Sequence, residues 1–169
     1  MAVVSSRKTF AARSCSIART LDVVGDWWTL LVLRDVFLGL HRFDELRSSL
    51  GVATNVLTLR LKRLTDAGIL ERRAYQEHPP RFEYALTEKG RELYPVLIVL
   101  LQWGDRHLRG SEAPPRVLVH ETCGQPTQPE LVCPHCRSEV SARNARTVPR
   151  RELPRTLEAL RRRPRARTA

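Results

Sequence analysis

Residues able to do chemistry fall in three places along this chain. The stretch TNVLTLRLKRLTDAG, Thr54 to Gly68, carries Thr54, Asn55, Thr58, Arg60, Lys62 and Arg63 with no acid before Asp66. Asn can pair with an adenine edge, Arg with guanine or phosphate, and Thr with phosphate or a thymine methyl, so this set of side chains suits a nucleic acid. A second cluster, HETCGQPTQPELVCPHC from His120 to Cys136, sets H-x2-C against C-x2-C across nine residues. Two such knuckles can aim His120, Cys123, Cys133 and Cys136 at one tetrahedral site, the arrangement of a structural zinc. Reduced, metal-free thiols are the competing reading, and His135 is a substitute for His120. The third place is Cys15, flanked by Arg13 and Arg19 at a helix start, where amide dipoles and cations favour the thiolate. Its bland alternative is a small apolar residue tucked under packing helices.

None of these arrangements is that of an enzyme. The five His are scattered. No Ser-His-Asp or paired-carboxylate pattern and no phosphate-cradling Gly loop is legible, and the Cys cluster has no acid placed as a base beside an open ligand position. The chain is expected to be a binding protein.

The elements that must hold these residues follow from periodicity. At about 100° per residue, Leu57, Leu61 and Leu64 share one narrow arc, Asn55, Leu59, Lys62 and Arg63 face away, and Thr54, Thr58 and Arg60 flank them. Thr54 suits the N-cap, and the first-turn amides suit a phosphate. Upstream, Ser14 or Ser16 is expected to cap a helix carrying Ile17, Leu21 and Val24 and ending at Gly25. Asp26 caps WWTLLVLRDVFLG, apolar on most faces apart from an Arg34 to Asp35 edge and therefore central. RFDELRSSL puts Phe43, Leu46 and Leu50 on one side, and Gly51 closes it.

After Gly68 the period changes to two. Ile69 to Tyr75 and Arg81 to Thr87 read as strands joined by the loop QEHPP, and this ribbon adds Arg72, Arg73, His78 and Arg81. Thr87 caps a long last helix, EKGRELYPVLIVLLQWGDRHL, kinked at Pro95. From Val96 to Leu101 that helix is apolar nearly all round, more than one small unit can cover, which calls for a symmetric homodimer. Trp27 and Trp28 are read first as core, with a pocket for an aromatic effector as the alternative. Three short helices and a hairpin make a winged helix-turn-helix, with the last helix in the major groove and the hairpin on flanking phosphates.

The formal charge is +11, but from Arg143 to Ala169 ten Arg face only Glu152 and Glu158, so +8 of it sits in that tail. Such a tail attracts phosphates without choosing sequence, or merely solubilises the chain. Arg7, Lys8 and Arg13 interrupt any apolar start, so no secretory signal is expected and the mature chain should begin near Met1. The run Tyr94 to Trp103 falls short of the roughly 20 residues a membrane helix needs. A cytoplasmic protein with reduced Cys follows. The expected organisation is a flexible start (1–14), a compact unit (15–109), a Cys and His module (116–141) and an Arg- and Pro-rich tail (142–169). The fold class is mainly α with a small β-hairpin wing, dimerising through terminal helices, plus a small zinc-ribbon-like module with one structural zinc per subunit.

From Cys15 to Gly104, a little over half the chain, the motifs C-x2-A-R, GDxWT-LL-LRD, RFDEL, LTLRLKRLTDAGIL and PPRFEYALTEKG occur in order. In this combination the chain resembles the HxlR-type bacterial transcriptional regulators of the MarR-like superfamily. The resemblance implies a homodimer on a near-palindromic operator, with the fourth helix in the major groove and the hairpin as wing, and a repressor that occupies promoter DNA is the expected mode of action. It also implies a redox or electrophile sensor at Cys15. Thr54, Asn55, Thr58 and Lys62 are then expected to read or position bases, and Arg60, Arg63 and Arg81 to hold phosphates. The competing reading is a zinc-stapled nucleic-acid or protein interaction module with a basic tail. Its activity would survive loss of residues 42–86 but not of 116–169.

Overall fold

A computed structural model describes Phe10 and residues 14–149 of the chain. Most of the start expected to be flexible, and the Arg- and Pro-rich tail from 150 on, lie outside the described residues. The chain separates into two compact units, Met1–Arg116 and Val117–Ala169.

In the first unit, helices α1 (Ser16–Val24), α2 (Trp27–Phe37), α3 (Phe43–Leu50) and α4 (Thr54–Asp66) are followed by strands β1 (Leu70–Gln76) and β2 (Arg81–Leu86). Helices α5 (Glu88–Arg91) and α6 (Tyr94–His107) complete it. Leu57, Leu61 and Leu64 of α4 enter one core with Val32, Leu33 and Val36 of α2, Leu46 of α3, and Ile69 and Leu70 at the strand start. The apolar arc at i, i+4 and i+7 therefore does what its spacing predicts. Thr29 and Asp35 of α2 are buried beside it. Asp35 thus does not belong to a solvated polar edge: its Oδ1 accepts from Nε of neighbouring Arg34 at 2.8 Å, which keeps the charge paired inside.

The ends of the helices differ in detail from the expected caps. Cys15, rather than Ser14 or Ser16, occupies the N-cap of α1, and Ala53, rather than Thr54, that of α4. Asp26 does cap α2, accepting from the Trp28 amide at 3.1 Å, and Gly51 closes α3 at φ 60, a left-handed turn that a β-carbon disfavours. The long last helix is two helices. Thr87 caps α5 by accepting from the Gly90 amide at 3.1 Å, the chain turns at Glu92 and Leu93, and Pro95 falls in the first turn of α6. Proline is tolerated there because that amide would have no helical partner anyway, so the chain breaks where a kink was expected.

The two strands pair antiparallel from Leu70↔Leu86 to Gln76↔Arg81, with an irregularity between Ala74 and Gln76. A third edge, which alternation alone does not disclose, comes from the turn before α3. The Tyr84 amide donates to the His41 carbonyl at 2.8 Å, the His41 Nδ1–H donates to the Tyr84 carbonyl at 3.1 Å, and Arg42 bridges Glu83. The ribbon is thereby tied to the helix-turn-helix. No helix among the described residues is long and apolar enough to cross a membrane.

The second unit holds two short strands, β3 (Val119–His120) and β4 (Gln125–Pro126), paired antiparallel, and an isolated bridge from Val132 to Glu139.

Candidate nucleic-acid interface

Helix α4 presents Thr54, Asn55, Thr58, Lys62 and Arg63 exposed to solvent, opposite its buried leucines. Three of these groups have a local tether. Thr58 donates its hydroxyl to the Thr54 carbonyl at 2.8 Å, and Asn55 Oδ1 accepts from the Val56 amide at 2.9 Å. Lys62 Nζ lies 2.6 Å from Asp66, an exposed i, i+4 pair whose net contribution is small, so the ammonium can change partner at little cost. Arg63 and, on β2, Arg81 are exposed and have no acidic partner among the described residues. The Leu59 side chain also stands outward among these polar groups, 47% exposed, and supplies an apolar contact surface of the sort a thymine methyl can meet.

Arg60, expected to hold a phosphate, is paired within the fold. Its Nε and Nη2 donate to the two carboxylate oxygens of Asp26 at 2.8 Å each, and both side chains are about five-sixths buried. Asp26 lies 34 residues away in the chain, at the N-cap of α2, so the pair forms only when α4 packs across that end. Arg60 ties α4 to the start of α2. Arg47, in the last turn of α3, was not singled out by sequence reasoning; its Nη1 donates to the Thr54 hydroxyl at 3.5 Å and it is half exposed. The signal that marks it is position: it lies in the last turn of the helix that precedes α4, 7 residues before Thr54.

One cation of the hairpin, Arg72, and one beside it, Arg42, lie over aromatic rings of the hairpin. The Arg72 guanidinium lies 3.4 Å from the Phe82 ring centroid, and that of Arg42 lies 4.6 Å from Tyr75. Arg73 pairs with Glu71 on the same strand. Stacking fixes the long stems of Arg72 and Arg42 and keeps their charge at the ribbon surface. Glu45 holds the start of α3 in place by accepting from the Arg42 amide at 2.9 Å and the His41 amide at 3.1 Å. The bond to Arg42 foremost, with that to His41, keeps its carboxyl below its ordinary range against the opposing effect of desolvation.

Cys15 is exposed at the head of α1, so it is not a packed core thiol within one chain. Trp27 is 76% exposed and does not join the core either, while Trp28 is half-buried. One turn start cannot bury both, because adjacent helical side chains point about 100° apart. Large apolar side chains also stand exposed on α6: Val96, Val99, Leu100, Leu101 and Trp103.

In the second unit, His120 Nδ1 lies 3.3 Å from Cys123 Sγ, and Cys133 and Cys136 stand in one tight turn, closed by the Arg137 amide donating to the Cys133 carbonyl at 2.9 Å. Hydrogen bonds from Ser138, ahead of that from Cys133, hold the Cys136 thiol below its ordinary range. Sequence reasoning grouped all four ligands. Among the described residues they stand as two pairs, and no three His, Cys, Asp or Glu side chains are gathered as one metal site.

Comparison with known proteins accords with this geometry. Residues 23–112 match the model of the HxlR-like helix-turn-helix family. Rv3095 of Mycobacterium tuberculosis, an uncharacterised HTH-type transcriptional regulator, is 45% identical over 134 residues, 79% of this chain and 85% of the relative. That match is longer than the whole first unit, Met1–Arg116, so it continues into the second. The crystal structure of PA1607, a candidate transcription factor, superposes with a TM-score of 0.73 at 37% identity, covering 81% of this chain and 96% of that one. The redox regulator HypR in its oxidised form superposes with a TM-score of 0.52 at 36% identity, covering 55% of this chain and 97% of that one. With an outward polar face on α4, a cationic ribbon tied beside it and a family match over half its length, this chain belongs to the HxlR-like helix-turn-helix family of DNA-binding transcriptional regulators.

Proposed function

We propose that the protein binds a near-palindromic operator as a homodimer and represses transcription by occupying promoter DNA, releasing it in response to a signal. The observation that carries this reading is the uniform outward face of α4, Thr54, Asn55, Thr58, Lys62 and Arg63, with the Arg81 strand tied to the same helix-turn-helix through His41 and Tyr84. Asn55, Thr54, Thr58 and Lys62 read or position bases; Arg63 and Arg81 hold phosphates, with Arg47 beside Thr54 taking the place first given to Arg60. The exposed Val96, Val99, Leu100 and Trp103 of α6 support a second copy as the partner, since an apolar face of this kind is costly in water. Two copies related by a two-fold axis require two half-sites about one helical turn of DNA apart or a multiple of it.

Footprinting on the DNA upstream of its own gene, combined with sedimentation of wild type and Leu100→Glu, tests this. The expected result is a two-fold protected site for the wild-type dimer, and a monomeric variant that holds the operator far more weakly. A single half-site protected equally by a monomeric wild type would sink the dimer reading.

The signal we assign to Cys15. It is exposed at a helix head, and HypR, to which this chain is similar, is named a redox regulator. A thiol oxidant such as diamide is then expected to release operator from the wild type and not from Cys15→Ser. Identical release from both removes Cys15 from the mechanism. An aromatic effector meeting exposed Trp27 is the second route for a signal, and fluorescence quenching of wild type against Trp27→Phe separates the two.

A further inference from the structure

The second unit has no core. Among its described residues, Val117 to Pro149, not one is buried, and Val117, Val119, Leu131, Val132 and Val140 all stand exposed. A piece this small without apolar burial needs a covalent or metal staple to hold one conformation.

Its backbone is built twice. In the first copy the Gly124 amide donates to the His120 carbonyl at 2.8 Å, Gly124 has φ 68, the Thr127 amide donates to the Leu118 carbonyl at 2.8 Å, and Val119 pairs with Pro126. In the second the Arg137 amide donates to the Cys133 carbonyl at 2.9 Å, Arg137 has φ 62, the Val140 amide donates to the Leu131 carbonyl at 2.7 Å, and Val132 bridges Glu139. Every partner in the second copy lies 13 positions beyond its counterpart in the first. His120 therefore corresponds to Cys133, Cys123 to Cys136, and Gly124 to Arg137. Arg137 is the only non-glycine at positive φ among the described residues, in a conformation its β-carbon disfavours. The repeat of the turn, at the same point after the second donor, says the turn shape is required there.

We propose that these are two halves of one zinc knuckle pair, which close on a single Zn2+ through His120 Nδ1, Cys123, Cys133 and Cys136, and that this closure is what orders the unit. The donor set fits the ion: one imidazole and three thiols are the soft ligands a closed tetrahedral zinc site uses. His120 Nδ1 already lies 3.3 Å from Cys123 Sγ, and Cys133 and Cys136 sit on a turn of the same hydrogen bonding, so binding has only to bring turn to turn. The thiol protons leave to solvent as the metal enters, which ties affinity to pH. The register also decides between the two histidines. His135 corresponds to Thr122, between the ligand positions, and takes no part. The inference stands apart from the operator reading, because it concerns a unit that carries none of the α4 or wing residues.

The test uses the full chain, stripped of metal by a chelator and titrated with Co2+ as a visible probe, then with Zn2+. Expected are one Co2+ per chain with the absorption of a tetrahedral thiolate site, its displacement by Zn2+, and slowing of tryptic cleavage at Arg137 by on the order of tenfold when metal is bound. His120→Ala and Cys133→Ser should each weaken Co2+ binding by on the order of tenfold or more, while His135→Ala binds as the wild type does. Melting of the first unit, followed separately, shows that the variants remain folded there. Absence of a thiolate–cobalt spectrum overturns the site. Loss of binding in His135→Ala with retention in His120→Ala overturns the register, and unchanged cleavage in the metal-bound chain overturns the claim that metal orders the unit.

Discussion

Arg60 reaches from α4 to Asp26 with two hydrogen bonds of 2.8 Å, while the same carboxylate caps α2 through the Trp28 amide at 3.1 Å. One acid thus fixes both the start of the central helix and the attitude of α4 across it. Because both partners are mostly buried, the pair lies between the weak surface limit and the costly interior one. Arg60→Met should lower stability by about 1 to 3 kcal/mol, read from urea denaturation midpoints. It should leave the salt dependence of operator binding unchanged, since no phosphate contact is lost. A shallower salt slope would show that Arg60 touches DNA after all.

Asn55 and Arg81 should differ in kind. Asn55→Ala removes a group able to make a bidentate contact with an adenine and should cost about 1 to 3 kcal/mol of discrimination between operator and mutated operator. Arg81→Ala should weaken operator and random DNA alike and reduce the salt slope by about one. Gel-shift titrations of both variants across a salt series measure this. Equal losses on both DNAs for Asn55→Ala would contradict its reading role.

Acidification should act through Glu45. Its folded carboxyl titrates below its ordinary value because the Arg42 and His41 amides bind the charged form. Its contribution is therefore fully present above the unfolded value and is lost as pH falls through the folded one. The urea midpoint of the wild type should fall with acid more steeply than that of Glu45→Gln through that window. Parallel pH profiles would remove Glu45 from the account.

Gly90 makes a prediction about the joint between wing and terminal helices. A β-carbon there would sit 2.2 Å from the Ile69 carbonyl oxygen, which belongs to the backbone and cannot swing aside. The Thr87 hydroxyl bonds that same region, donating to the Gly68 carbonyl at 2.7 Å. Gly90→Ala should cost about 1 to 3 kcal/mol, with α5 pushed from the strand start. A denaturation midpoint equal to that of the wild type would show that the joint is looser than this.

Local periodicity carries a large part of this protein in the open. The leucine arc of α4, the Asp26 cap, the Gly51 stop and the change to period two after Gly68 are each fixed by neighbours within a turn or a strand. The family resemblance rests on these same residues. The helix ends were harder: Ala53 and Cys15 hold N-caps that Thr54 and Ser14 or Ser16 are chemically better suited to, because packing of the whole helix sets where its first turn begins.

What the tertiary structure alone decided are the pairings between distant charges and strands. The pairing of Arg60 with Asp26, the burial of Asp35 and the sheet edge formed by His41 and Arg42 all depend on elements far along the chain. A side chain's type states which bonds it can make. Only the packed fold brings a particular partner within 3 Å, and desolvation then makes that choice the favoured one.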